Sequence, residues 1–148
     1  MNWKEELLKK YEHMLTKDER YAIRMFGIEC GDGWRTILEN LFANIQLLID
    51  GGAPMIELHQ VKEKFGGLRF YAEECDDNVR KAISDAELAA WNTCELCGST
   101  EEVGCTNGWI TVCCRKCHGC NERLQRHEWL SHEERQRRHE ERLKIGKG

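Results

Sequence analysis

The number and the spacing of the cysteines in this chain indicate that they have a chemical role. Seven of the nine cysteines lie between positions 94 and 120, and such a cluster favours metal ligation over a scattered disulfide framework. Cys94 and Cys97 are separated by two residues and followed by Gly98, which is the pattern of a zinc knuckle. Cys114 and Cys117 repeat the spacing after sixteen intervening residues. Two such pairs predict one Zn²⁺ ion held by four thiolates.

The second ligand pair admits alternatives. Cys113, His118 and Cys120 lie beside it, and Cys117 also forms a CxxC motif with Cys120. We favour Cys114 with Cys117, because the preceding Trp-Ile-Thr-Val predicts a strand that delivers Cys114 at its end. Cys113 would then be a buried strand residue. Replacement of a preferred ligand by one of the three neighbours stays open at this stage.

The predicted site has a structural rather than a catalytic form. Four thiolates complete the tetrahedral shell of Zn²⁺ and leave no position for a water molecule. Cys114 and Cys117 superficially resemble the second metal pair of HNH nucleases. Those enzymes need a histidine base on the hairpin between the pairs, and residues 98–113 contain no histidine. The sequence also lacks a P-loop and a nucleophile elbow, so we expect a protein that is not an enzyme.

The residues between the two pairs predict the elements that hold them. Asn107-Gly108 is a hairpin turn signal, and it is flanked by Val103 and by the strand-forming residues 109–112. A knuckle, a hairpin and a ligand pair at the start of a helix together form a treble-clef arrangement. We therefore predict a four-cysteine zinc module over residues 94–120.

Three amphipathic helices are predicted before this module. Apolar residues recur at helical spacing over 3–15 and over 34–48, where Asp32 is a candidate N-cap. Asp76-Asp77 can cap a third helix whose apolar face begins at Val79.

A β-hairpin is predicted between the second and third helices. Residues 55–71 form two strand-like runs around Gly66-Gly67, a pair that supplies the positive φ angles of a tight turn. We predict that the helices pack on this hairpin in an α+β body over residues 1–93.

The chain after Cys120 is strongly charged. Favourable i,i+4 pairs of glutamate and arginine predict a long, mostly solvated helix over 118–142, on which His132 would be exposed. The predicted fold class is therefore α+β, with helices on a β-hairpin, a treble-clef-like zinc module and a long charged C-terminal helix within residues 121–148.

Composition and charge narrow the classes of function. The 148 residues carry a formal net charge of −4, with 41% hydrophobic and 32% charged side chains, as in ordinary globular proteins. The charge is uneven, at −5 over residues 1–93 and +4 over 115–148, so any nucleic-acid contact would use the C-terminal end. The N-terminus has no apolar signal-peptide region, and the longest apolar stretch is too short to span a membrane. We expect a cytoplasmic protein.

The chain resembles a widespread group of small phage and prophage proteins over residues 33–117. The shared features are Gly33-Trp34, the hairpin sequence QVKEKFGGLRFY at 60–71, the pair Cys94 and Cys97, Gly108-Trp109, and the pair Cys114 and Cys117. The twelve-residue hairpin is the most specific of them, and the pattern supports Cys114 and Cys117 as ligands.

This resemblance implies an accessory function of phage origin, exerted in the cytoplasm of the host cell. Small phage proteins of this type include zinc-containing anti-CRISPR proteins that act on the type II CRISPR nuclease. The resemblance thus implies a protein–protein inhibitor that blocks nucleic-acid loading by a host nuclease. The alternative is a zinc-dependent nucleic-acid-binding or transcription accessory protein of phage origin.

Overall fold

The computed structural model of the chain describes residues 1–146. The first 93 residues contain four helices and one sheet: α1 Trp3–Lys10, α2 Ala22–Phe26, β1 Ile28–Glu29, α3 Arg35–Asp50, β2 Glu57–Lys64, β3 Gly67–Glu73 and α4 Asp77–Trp91. The remainder contains a second sheet and two helices: β4 Val103–Thr106, β5 Val112–Cys114, α5 Arg115–Cys120, β6 Trp129–Ser131 and α6 His132–Ile145. The predicted α+β fold class is confirmed.

The N-terminal sheet has the strand order β1-β2-β3. Strands β2 and β3 form the predicted antiparallel hairpin, and the two-residue β1 pairs with β2 in parallel. Lys64 pairs with Gly67, so the turn residues are Phe65 and Gly66, with φ angles of 53° and 85°. The sequence assigned the positive φ angles to Gly66-Gly67. The register places Gly67 in the strand instead.

Strand β3 forms one edge of this sheet, and α4 covers part of that edge. The backbone N–H of Phe70 donates to the carboxylate of Glu87 in α4 over 3.1 Å. An edge strand presents unpaired backbone donors to solvent, and Glu87 supplies the acceptor for one of these donors.

The main core lies between the helices and the N-terminal sheet. Helix α3 packs against α4, and α4 packs against β3. The Phe42 ring of α3 stacks on Tyr11 at 5.1 Å and meets Phe70 of β3 edge-on at 5.5 Å. Trp34 is fully buried, and its indole N–H donates to the carbonyl oxygen of Thr93. This bond joins the start of α3 to the residue before Cys94.

Two N-terminal details differ from the expectations. The helix predicted over 3–15 ends at Lys10, and Leu15 instead forms a parallel bridge with Leu58. Asp32 accepts a hydrogen bond from the indole N–H of Trp3 and does not cap α3. Asp76 is the N-cap of α4, as predicted, because its carboxylate accepts from the N–H of Val79.

The C-terminal sheet has the strand order β5-β4-β6, with both pairs antiparallel. Gly104 of β4 faces the Trp129 ring of β6, and a Cβ atom on Gly104 would lie 2.7 Å from that ring. The indole N–H of Trp129 donates to the carbonyl oxygen of Cys113. Glycine at position 104 therefore leaves room for the backbone of β6 and the Trp129 ring against β4.

The continuous helix predicted over 118–142 is wrong in its first half. Helix α5 ends at Cys120, residues 129–131 form β6, and α6 begins after Ser131, whose hydroxyl accepts from the N–H of Glu134. The physical reason is that β4 has a second edge, not paired with β5, that can accept another strand. Pairing with that edge buries Leu130 and half-buries Trp129, whereas a helix would leave these side chains in the solvent. Residues 147 and 148 of the predicted C-terminal segment lie outside the described part of the chain.

Candidate metal centre

The structure brings four cysteine sulfurs together. The Sγ atoms of Cys94, Cys97, Cys114 and Cys117 all lie within 4.8 Å of one another, and those of Cys97 and Cys114 are 3.8 Å apart. A tetrahedral ion with metal–sulfur bonds of about 2.3 Å holds its sulfurs ~3.8 Å apart. The four sulfurs therefore have the separations that a tetrahedral metal site requires.

The first pair lies on a tight turn. The N–H of Gly98 donates to the carbonyl oxygen of Cys94 over 2.9 Å, and Gly98 has a φ angle of +81°. The turn aims the N–H of Ser99 at the sulfur of Cys97, 3.5 Å away. Glycine is needed at position 98 because other residues adopt this left-handed conformation at a cost.

The second pair lies where β5 meets α5. Cys114 is the last residue of the strand and the N-cap of the helix, and its sulfur accepts from the N–H of Cys117 over 3.4 Å. The strand delivers Cys114 and the first helical turn returns Cys117 to the same place. This local geometry matches the expectation from the sequence.

The three neighbouring candidates lie outside the cluster in the described residues. Cys113 is fully buried, and burial raises the pKa of its thiol to about 12. His118 is engaged elsewhere, since its Nε2 donates to the carbonyl oxygen of His127 over 2.8 Å. Cys120 is exposed at the end of α5.

The thiols of the cluster differ in pKa: burial acts to raise the pKa of Cys94, but backbone hydrogen bonds outweigh it and lower that pKa. Burial, followed by hydrogen bonds with the neighbouring sulfurs, raises the pKa of the Cys117 thiol. Several thiolates in one place repel each other, and a divalent cation reverses that balance by deprotonating the thiols that ligate it.

Glu95 fastens the knuckle to the rest of the molecule. Its carbonyl oxygen accepts from the N–H of Gly33 over 2.8 Å, and its carboxylate accepts from the N–H of Gly31 over 2.9 Å. Its own N–H donates to the carbonyl oxygen of Val112 in β5. Burial raises the pKa of the Glu95 carboxyl group. Glu95, one of the two residues between the knuckle cysteines, thus contacts both the body and the second ligand-bearing segment.

The close approach at this junction depends on glycine. A Cβ atom on Gly33 would overlap the carbonyl oxygen of Cys94 and lie 2.5 Å from the carbonyl carbon of Glu95. A Cβ atom on Gly31 would also overlap the Glu95 backbone. Sequence reasoning missed this contact, although the Gly-Asp-Gly-Trp run at 31–34 was a signal of close backbone packing.

A second group of potential ligands consists of Glu57, His59 and Glu73. Glu57 lies 3.2 Å from Nε2 of His59, and Glu73 lies 4.0 Å from Nδ1. The carboxylates therefore approach opposite nitrogens of one ring, on which Tyr21 stacks at 4.0 Å. The three residues offer ligand atoms within 4.8 Å of one another, and the two carboxylates hold the His59 ring between them.

No known protein family, curated protein or solved structure matches this chain. Among the described residues, no helix combines the length and the apolar character that a membrane crossing needs.

Proposed function

We propose that this chain is a non-enzymatic binding protein in which one structural Zn²⁺ ion organises the C-terminal module. The proposal is carried by the set of four cysteine sulfurs within 4.8 Å of one another. Zinc is a borderline-soft ion that thiolates bind in tetrahedral geometry, and four thiolates complete its shell. An ion held in this way stabilises structure and has no open position for substrate.

The place of the ion in the fold supports a role in shaping a surface. Cys94 and Cys97 flank Glu95, which contacts Gly31 and Gly33 of the body. Holding the two cysteines against Cys114 therefore also holds the C-terminal sheet against the body. The ion would keep both parts in the fixed relation that a specific binding surface needs.

For the partner, we propose a host defence nuclease of the type II CRISPR class, blocked by protein–protein binding that prevents nucleic-acid loading. The support is the resemblance of residues 33–117 to small phage proteins, together with the charge of the body. Residues 1–93 carry a net charge of −5, and nucleases of this class hold their heteroduplex in a positively charged channel.

The candidate contact is the acidic segment over residues 73–77, which contains Glu73, Glu74, Asp76 and Asp77. Asp76 caps α4, so its carboxylate already has a structural role. Glu74 and Asp77 are exposed, and within residues 1–146 Asp77 pairs only with the exposed Arg80 of its own helix. Glu74 and Asp77 can therefore be changed without removing the helix cap.

The test is association of the zinc-loaded protein with the guide-free and the guide-loaded nuclease, measured at two salt concentrations. We expect Glu74→Lys with Asp77→Lys to slow association, because complementary charge mainly raises the association rate. Glu19→Lys with Glu29→Lys is the matched control, since both residues are exposed and the charge change is the same.

Equal slowing by the two double variants would reject this segment as the contact. Absence of binding by the unmodified protein to nucleases of this class would reject the partner. A metal content far from one zinc per chain would reject the structural part of the proposal.

A further inference from the structure

We propose that one face of α6 and the adjoining loop between β4 and β5 form a binding surface for single-stranded nucleic acid. In this arrangement, arginines of α6 contact phosphates and Trp109 stacks on a base. The inference goes beyond the proposed function, because it requires no nuclease partner.

Basic residues follow one face of α6 at helical spacing. Arg135, Arg138 and Arg142 line a cavity of about 230 Å³ together with the loop residues Asn107 and Gly108. Positions three, four and seven apart in a helix share a face, so the three side chains point to the same side of α6.

A second cavity, of about 270 Å³, shares two of these arginines. Its lining includes Arg135 and Arg142 again, with His132 and His139. Neither cavity is lined by an aspartate or a glutamate among the described residues. Arginine side chains therefore line both cavities.

The two outer arginines of the row have no carboxylate partner in the described chain, in contrast to the opposite face of α6. Arg142 donates to the carbonyl oxygen of Arg138, and Arg135 lies over the Trp91 ring at 5.7 Å. On the opposite face, Arg137 pairs with both Glu134 and Glu141.

Arg138 differs from its neighbours in the row, because it pairs with Glu128 and Glu134. The free charge of the surface is therefore that of Arg135 and Arg142.

Trp109 supplies a flat aromatic face beside this charge. It is 75% exposed and lies between Gly108 and Ile110, which both line the first cavity. Trp109 itself lines a groove of about 660 Å³ with Arg123 and Arg126, and Thr106 lines both this groove and the first cavity. An exposed tryptophan and arginines that line the same groove are the combination that binds unpaired bases and their phosphates.

The same groove contains two carboxylates, and both are engaged by the backbone. Glu63 accepts from the N–H of Gly66, and Glu95 accepts from the N–H of Gly31. Each of the two carboxylates thus has a backbone hydrogen-bond donor, and both still line the groove beside the arginines.

The observations favour a single strand over a duplex or an acidic protein. Base stacking needs an unpaired base, which a duplex does not offer to Trp109. The row from Arg135 to Arg142 extends about 10 Å along the axis of α6. A surface of that length can contact more than one phosphate of a single strand.

The experiment is fluorescence anisotropy of a labelled fifteen-nucleotide oligothymidylate with the full zinc-loaded chain, over a series of salt concentrations. Arg135→Gln with Arg142→Gln is expected to weaken binding about tenfold and to lower the salt slope by about 1.4, since each phosphate contact on a single strand contributes about 0.7. Arg137→Gln with Lys144→Gln removes the same charge at the same spacing from the opposite face, and we expect a change below twofold. Trp109→Ala is expected to weaken binding about tenfold with an unchanged salt slope.

Single variants guard against loss of folding, because Arg135 also contacts the sulfur of Cys105. Arg142→Gln is compared with Lys144→Gln at equal zinc content and equal melting temperature, and only the former should weaken binding. Equal effects on the two faces would overturn the proposal. So would undetectable binding by the unmodified chain at 50 mM salt, or unlabelled duplex DNA or polyglutamate competing as well as the single strand.

Discussion

Cys113 and Cys114 are adjacent in sequence but have different surroundings. Both are buried in the small core with Leu124. Successive residues of a strand point to opposite faces, and among the described residues only Cys114 of the two also belongs to the sulfur cluster. Which of two neighbouring cysteines binds a metal is therefore decided by the register of β5. That register is set by the pairing of Gly104 with Cys113.

Substitution of these two cysteines should distinguish the metal-binding role of Cys114 from the packing role of Cys113. Cys114→Ser should remove most of the bound zinc, because a hydroxyl is a poor replacement for a thiolate and structural zinc contributes about 10–16 kcal/mol of apparent binding free energy. Cys113→Ser should keep about one zinc per chain and lower stability only through a buried hydroxyl group, by roughly 1–3 kcal/mol. Metal analysis and thermal unfolding of both variants check this, and equal zinc loss would mean that the register is different.

Gly33 offers a test of the contact between the knuckle and the body. Gly33→Ala should destabilise the protein by about 1–3 kcal/mol or more, because the added methyl group meets backbone atoms that cannot move aside. Gly119→Ala is the control, since a Cβ atom there would have no neighbour within 4 Å. Zinc retention against a chelator should fall in the first variant and stay unchanged in the second. A neutral Gly33→Ala would show that the two parts are not in close contact.

At the scale of elements, the sequence correctly predicted those features that depend on interactions between residues close together in the chain. The hairpin of β2 and β3, the Asp76 cap of α4 and the two cysteine pairs all depend on residues close in sequence, and all appear in the structure. Strand β6 was not predictable in this way, because its partner is β4, more than twenty residues earlier. The docking of Glu95 on Gly31 and Gly33 spans more than sixty residues and left only a glycine-rich run as a signal.

Helix α6 is attached to the body through His132, which the sequence placed in solvent. The Nε2 of His132 donates to the carbonyl oxygen of Trp91 at the end of α4, and the ring stacks on the Trp91 indole at 4.7 Å. Its Nδ1 is buried with no hydrogen-bond partner in the described residues. Burial lowers the pKa of His132, so the neutral form stabilises this junction.

The junction predicts a dependence of stability on pH. The pKa of His132 is lower in the folded state than its unfolded value near 6.5. The unfolded state therefore binds more protons, and stability falls as pH drops from about 6.5 through the folded pKa. His132→Gln keeps a donor for the Trp91 carbonyl oxygen and removes the titration. The difference in unfolding free energy between the variant and the unmodified protein should shift in favour of the variant as pH falls from 7 to 5. A difference independent of pH would contradict the assignment.

For the whole molecule, the two sheets should differ in their dependence on metal. The C-terminal sheet has three strands of three or four residues and a small core, so it relies on the ion for much of its stability. The hairpin of β2 and β3 packs in the larger core with α3 and α4.

Removal of zinc by a chelator should release one part of the chain before the other. We expect amide hydrogens of β4, β5 and β6 to exchange rapidly, while those of β2 and β3 remain protected. Hydrogen exchange followed by mass spectrometry of peptides resolves the two regions, and restored zinc should return the protection. Simultaneous loss of protection throughout would mean that the N-terminal core also depends on the ion.

The Glu87 carboxylate on Phe70 bears on how separate molecules of this protein meet. Strand β3 has seven residues, whereas β1, β5 and β6, the other strands at sheet edges, have two or three each. An open strand of that length is a template for pairing with another chain, and a charged group on its edge discourages such pairing. Loss of this carboxylate in Glu87→Ala should leave the monomer folded at low concentration. At high concentration it should promote self-association, visible as a concentration-dependent rise in sedimentation coefficient. We therefore expect Glu87 to affect the solubility of the protein more than the stability of a single molecule.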